Sequence, residues 1–294
     1  MGDEANFDVI AIVGVGLIGG SLGMAARARG LTKRVIGIGR NEARLDRAKQ
    51  LNAIDSYTLD RSQGVAEADL VVVCTPVRDI VPNIKAFAGS LKEGAIVTDV
   101  GSTKAEVVSG AEAVLGAGPH FVGGHPMAGS EASGVEAARP DLFEGAAYII
   151  TPTDRTNLSA MRKMLKFAKA IGARTIVMSP EEHDYATALV SHVPHVLAAA
   201  ALSIANEAEE EHPGDIFSIA AGSFRDLTRV SGSPPALWRD ICLSNSEAVA
   251  AALLRFEKEL AAIREVIESG DCDAVENLFK RASELREMLI RSRE

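Results

Sequence analysis

Three glycines, Gly14, Gly16 and Gly19, directly follow the apolar run Val9-Ile-Ala-Ile-Val13 and open a helical pattern from Leu17 to Gly30. In a strand–turn–helix unit each glycine has a separate job. The first allows the tight turn, the second lets backbone approach a pyrophosphate, and the third lets helix pack closely on strand. The N–H groups at the helix start, from Leu17 and Ile18 onward, then face a phosphate at the positive end of the helix dipole. A ligand-free glycine turn or an adenosylmethionine site shares the local pattern, but a dinucleotide is the expected occupant. Val9 to Ala26 is also uncharged and mostly apolar. Its five glycines and the preceding Asp3, Glu4 and Asp8 argue against a signal peptide or a membrane span.

Further short apolar runs alternate with helical patterns: Arg34–Ile38, Asp69–Cys74, Ala95–Thr98, His120–Val122, Ala147–Ile150 and Arg174–Met178. Continuous apolar strands separated by helices imply a parallel sheet covered on both faces. The expected class is α/β, a doubly wound, Rossmann-type domain over residues 1–179. After Ser179-Pro180 no strand pattern remains. Residues 180–294 read as an all-helical domain, with helices near 180–208, 216–223, 235–243, 246–269 and 271–291. Asn245 or Ser246 is the expected N-cap of the fourth, and Gly270 follows its last turn.

The 294 residues carry 31 Lys+Arg against 40 Asp+Glu, a net charge of −9. That balance disfavours nucleic acid or an anionic membrane as partner and leaves a small molecule. Cys74, Cys242 and Cys272 are odd in number and far apart. They suit a reducing cytoplasm, with neither a disulfide framework nor a metal site.

The end of the second strand discriminates between nicotinamide cofactors. A site preferring NAD places an acid there, on the ribose hydroxyls. Here the residues are Gly39-Arg40-Asn41. Without the acid a 2′-phosphate meets no repulsion, and Arg40 can pair with it, so NADP is favoured over NAD. An exposed surface charge is the simpler role for Arg40.

The chemistry concentrates in two segments. Asp99-Val-Gly-Ser102 follows the fourth strand's carboxyl end, where open α/β sheets bind ligands. Gly123-Gly-His125-Pro-Met-Ala-Gly-Ser-Glu131 sets a histidine between glycines and a proline, on what reads as irregular backbone. Oxidising an alcohol needs a group to accept or polarise the O–H proton, and histidine suits that near neutral pH. A turn histidine that caps backbone is the plainer alternative. In the helical half, Ser191 and His195 share a helix face, with Pro194 a source of kinking. Arg225 and Arg229 stand four apart, and arginine's planar fork suits carboxylates.

Taken together, GVGLIGGS, VVVCTPV, DVGSTK, GGHPMAGSE, HDYATALVSHVPH and FRDLTRVSGSPPALW resemble the prephenate/arogenate dehydrogenases of tyrosine biosynthesis. The resemblance runs nearly the whole length of the chain. It implies oxidation of prephenate or arogenate at the ring C4 alcohol, with loss of the ring carboxylate as CO2. By resemblance His125 is the catalytic histidine and Ser102 its partner. Arg229, His195, Ser191, Glu131 and Trp238 contact substrate, and Asp184 lies near the domain junction. The cofactor set is Gly14, Gly16, Leu17, Ile18, Gly19, Arg40 and Thr75. The family's helical domain also implies a homodimer. For His192 a packed or surface position is the expectation. Two other readings share the two-domain plan. A β-hydroxyacid dehydrogenase requires a lysine on the helical half, and residues 180–257 contain none. A redox-sensing dinucleotide-binding protein has no use for His125, Ser102, His195 and Arg229 in one chain.

Overall fold

The computed structural model describes residues 6–130, 132–211 and 214–291. Eight strands form one sheet: β1 (Phe7–Val13), β2 (Thr32–Ile38), β3 (Ser56–Thr58), β4 (Leu70–Val73), β5 (Ile96–Asp99), β6 (His120–Pro126), β7 (Ala147–Thr151) and β8 (Arg174–Val177). Their order is β3-β2-β1-β4-β5-β6-β7-β8. β1 to β6 pair in parallel, and the order reverses between β1 and β4, which creates a crevice at their carboxyl ends.

The sheet is covered by α1 (Leu17–Ala28), α2 (Glu42–Gln50), α3 (Arg61–Val65), α4 (Val77–Phe87), α5 (Ala105–Leu115) and α6 (Leu158–Ala170). Two apolar cores result, and β1 feeds both. Ile10 and Ile12 join Leu22, Ile54 and Phe167 on one face, while Ala11 and Val13 join Val71, Ile80 and Phe87 on the other. A strand buried on both faces must be apolar at every position, which is why these runs show no alternation.

Two features of the sheet depart from the sequence reading. β3 is three half-buried edge residues, Ser-Tyr-Thr, too short to show a pattern. β7 runs antiparallel to β6, and β8 then runs parallel to β7. The described residues of 127–146 hold only a short 3-10 turn, Val135–Ala137, where a parallel return needs a crossover helix. This connection rests on α1: a Cβ on Gly20 would lie 2.9 Å from Ala138 Cβ, and the Arg139 N–H donates to Ser21 Oγ at 3.0 Å.

α7 (Pro180–Thr187) starts with a complete capping box from Ser179 and Glu182, with Pro180 in its first turn. A π turn over Ala188–His192 joins it to α8 (Val193–Glu211). Pro194 has no N–H to give, and Val193 N–H reaches five residues back to Ala188 O, so the kink expected there is absorbed as a bulge. Pro180–Glu211 is long and apolar enough by composition to cross a bilayer. However, Asp184 and His192 on this stretch hydrogen-bond to residues of α5 and to Asn245. α9 (Gly222–Thr228), a 3-10 turn (Arg229–Gly232) and α10 (Pro235–Ser244) follow. The helix expected over 216–223 is a turn built on Asp215, whose carbonyl accepts the Ser218 N–H, and helix begins only at Gly222.

Two compact units divide the chain between Ser246 and Glu247. α11 (Ser246–Glu268) and α12 (Cys272–Arg291) are separated by Gly270 at φ +67°. α12 has no buried residue, and Phe279, Leu285, Met288 and Leu289 are exposed. Asn245, a candidate cap for α11, instead donates its side-chain N–H to Asp184 O at 2.8 Å.

Candidate active site

The glycine turn sits at the β1/β4 crevice. Gly14 has φ +95°, and a Cβ there would stand 2.6 Å from Cys74 O. A Cβ on Gly19 would stand 2.3 Å from Gly14 O and 2.9 Å from Ile12 Cγ2, so only hydrogen fits between helix and strand. Gly16 faces open space, with nothing within 4 Å of its would-be Cβ. It is also the N-cap of α1, with no side-chain cap and no acid in the first turn. The N–H groups of Leu17, Ile18 and Gly19 are thus left for an external anion. Thr75 follows β4, and its Oγ1 is buried with no partner among the described residues. An open cradle, uncapped donors and an orphaned hydroxyl fit a dinucleotide phosphate. One strand over, Arg40 is exposed, while Asn41 Oδ1 is occupied in capping α2 through the Arg44 N–H at 3.0 Å.

His125 is the penultimate residue of β6, paired with Ile149 of β7. It therefore stands on a regular strand rather than on the irregular backbone its glycine and proline neighbours suggest. Its Nδ1 lies 2.7 Å from His183 Nε2, and His183 Nδ1 lies 2.7 Å from Asp184 Oδ1. Asp184 in turn accepts the backbone N–H groups of Lys104 at 2.7 Å and Ala105 at 2.9 Å. Those groups open α5, which has no side-chain cap of its own, so a carboxylate from α7 supplies the missing acceptor and meets the helix dipole. Lys104 is fully buried and ion-paired with the equally buried Asp99. Its Nζ also donates to Gly124 O at 3.1 Å, and Asp99 accepts the N–H groups of Gly101 (2.8 Å) and Gly124 (3.2 Å). Burial pushes His125 well below the usual histidine range, and the nearby His183, Lys104 and His192 add to the effect. Ser102 is half-buried in the loop between β5 and α5, at the end of the strand neighbouring β6.

A second cluster forms on the helical elements. The rings of His195 and Trp238 stack with centroids 3.6 Å apart and planes at 26°. His195 Nδ1–H donates to Ser191 O at 2.9 Å, which leaves Nε2 as the outward nitrogen. Trp238 Nε1 is buried with no partner among the described residues. Arg229, exposed just after α9, keeps helical dihedrals (φ −49°, ψ −42°) and so holds its four-residue spacing from Arg225. Burial lowers the pKa of His195, and the charge of Arg229 lowers it further. His192 is buried beside Asn245 and edge-on to Trp238 at 6.2 Å, as a packed histidine. Burial brings it down to about 4. Glu131 lies outside the described residues. A cavity of about 230 Å³ lined by Glu112, His120 and Arg155 opens at the amino-terminal edge of β6, the opposite edge from His125.

His183, Lys104 and Asp99 carry no role in the sequence reading, although all three stand inside the motifs quoted. The available signal was the histidine–aspartate pair opening α7 and the lysine closing DVGSTK.

Residues 22–177 match the family described as prephenate dehydrogenase, nucleotide-binding domain, and residues 179–281 its dimerization domain. The prephenate dehydrogenase of Bacillus subtilis is 39% identical over 96% of this chain and 76% of its own length. The cyclohexadienyl dehydrogenase of Zymomonas mobilis is 38% identical over 95% of both. A crystal structure of Aquifex aeolicus prephenate dehydrogenase in complex with hydroxyphenyl propionate and NAD+ has a TM-score of 0.89 and 35% identity, covering 96% of this chain and 98% of that one. A doubly wound sheet with a glycine turn at its crevice, a buried histidine on β6 of the same sheet and both family regions in sequence make this chain a member of the prephenate dehydrogenase family.

Proposed function

We propose that the protein oxidises prephenate, and arogenate where its pocket admits the amino acid, with NAD(P)+ as acceptor and loss of CO2. The observation that carries the reading is His125. It stands at the carboxyl edge of the sheet that holds the glycine turn, and among the described residues only its Nδ1 has a hydrogen-bond partner. A bound nicotinamide would supply the acceptor for the hydride of the ring carbinol carbon. His125 Nε2 accepts the hydrogen bond of the C4 hydroxyl and supports the positive charge that builds on it. Ser102 holds the same hydroxyl from the adjacent loop. As the C1–carboxylate bond breaks, its electron pair enters the ring, the ring aromatises, and the hydroxyl proton stays with the phenol. No metal is needed as an electron sink, because aromatisation supplies the driving force. Arg229 grips a substrate carboxylate, His195 and Trp238 form the stacked wall beside it, and Ser191 adds a further contact.

On the cofactor side, Gly14, Gly16, Leu17, Ile18, Gly19 and Thr75 hold the phosphates. Arg40, with no acid beside it at the end of β2, favours NADP. We further infer a cytoplasmic homodimer formed through residues 180–294, in which the exposed apolar side chains of α12 become covered. The test is the rise of reduced-nicotinamide absorbance with prephenate and then arogenate, each with NAD+ and NADP+. No rise with either substrate overturns the reading.

A further inference from the structure

A histidine that accepts a hydrogen bond at one nitrogen must be held with its proton on the other, and free imidazole does not choose reliably. The buried chain behind His125 makes that choice. Asp184 already accepts two backbone N–H groups, one on each oxygen, and a carboxylate has no proton to give. At 2.7 Å from Oδ1, His183 Nδ1 must therefore be the donor. In a neutral His183, Nε2 is then bare and can only accept. At 2.7 Å from it, His125 Nδ1 must carry the proton. That leaves His125 Nε2 with a free lone pair.

We propose that His183 and Asp184 are positioning residues that lock His125 in the Nδ1–H tautomer and so present Nε2 as the acceptor for the reacting hydroxyl. This rests on the dehydrogenase reading above and adds to it two residues that act through a third. The lock is rigid on every side. Asp184 is pinned to the first turn of α5, and the Thr187 hydroxyl donates to the His183 carbonyl at 2.9 Å. Among the described residues, the titratable groups acting on His125 are His183 on α7, Lys104 before α5 and His192 in the π turn; Asp99 on β5 faces Lys104, and Asp184 on α7 faces both Lys104 and His183. Lys104 is paired with Asp99, and its Nζ also donates to Gly124 O at 3.1 Å, one residue before His125. A protonated His183 would donate to His125 Nδ1 and force the proton onto Nε2, the wrong arrangement for accepting.

The test reads the tautomer directly, in the full-length protein labelled with 15N-histidine. Long-range 1H–15N correlation spectra report which ring nitrogen carries hydrogen. The chain has six histidines, and the His125→Asn spectrum identifies the resonances of His125 by their loss. Wild type at neutral pH should show His125 protonated at Nδ1 and bare at Nε2. In His183→Phe, which keeps a ring but offers no acceptor, the Nε2–H form should appear. Turnover with prephenate should then fall about 10²-fold or more with KM within about 2-fold, since loss of tautomer control in the Ser-His-Asp triad costs about 10⁴. A wild-type spectrum with Nε2 protonated overturns the proposal, and that measurement needs no variant to fold. So does a folded His183→Phe protein that keeps the wild-type tautomer. If the tautomer is as stated but prephenate is not oxidised, the proposed reaction fails and the lock stands.

Discussion

Replacing Lys104 with methionine keeps a long apolar stem and deletes the one buried ammonium that faces Asp99. Both side chains are fully shielded from water, so the carboxylate left behind has no solvent to turn to. Removing one partner of a buried pair typically costs about 3–5 kcal/mol, because the survivor is an uncompensated charge. Gly124 O also loses its 3.1 Å donor, while the N–H groups of Gly101 and Gly124 still offset part of the charge on Asp99. We expect the total to stay within about 3–5 kcal/mol. At roughly 2–4 °C per kcal/mol for a domain of this size, the melting temperature should drop by about 6–20 °C. Thermal unfolding followed by circular dichroism measures this. One internal control separates charge from packing. Adding Asp99→Asn to Lys104→Met removes both charges and should recover most of the loss. A melting temperature within 2 °C of wild type at pH 7, or a double variant that recovers nothing, refutes the idea that this pair is held by electrostatics.

His125→Asn should lower turnover about 10²–10⁴-fold while leaving KM for prephenate nearly unchanged, and steady-state kinetics would expose any other pattern. Arg229→Ala should raise KM about 10- to 100-fold, the loss of one charge-assisted contact of about 1.5–3 kcal/mol; an unmoved KM places the carboxylate elsewhere. Arg40→Ala should erase a preference for NADP, read as the ratio of KM values for the two cofactors, and an undiminished ratio removes Arg40 from the site. His192 is held neutral by burial, near 4 rather than 6.5, so the unfolded chain binds a proton in that window that the folded chain does not. Stability should therefore decline as pH falls from about 6.5 toward 4, by up to about 3 kcal/mol from this residue, and His192→Gln should flatten the slope of denaturation midpoint against pH.

What could be read from the residues, and what could not, follows from how far apart in sequence the partners are. The glycine turn is local: the three glycines, the strand before them and the helix after them span few residues, and their steric reasons hold atom for atom at Gly14 and Gly19. The same is true of the run of apolar strands. Strand direction is not local, and nothing in Ala147–Ile150 says that β7 reverses; that follows from a connection without a crossover helix. His125 was picked out by chemistry, although its glycine and proline neighbours suggested a loop where pairing with Ile149 makes a strand. His183 was invisible as a partner because its contact with His125 spans 58 positions. Lys104 offered only its charge, and a lone lysine in a sequence reads as surface.

The reversal of β7 also bears on residues 127–146. Were β7 parallel, this stretch would have to travel behind the sheet to the far edge. Instead it leaves β6 and packs on the first helix, where Ala138 fits over Gly20 and the Arg139 amide holds Ser21. The strand that carries His125 and the helix that follows the glycine turn are therefore tied at two points besides the sheet they share, through Ala138 over Gly20 and the Arg139 amide on Ser21.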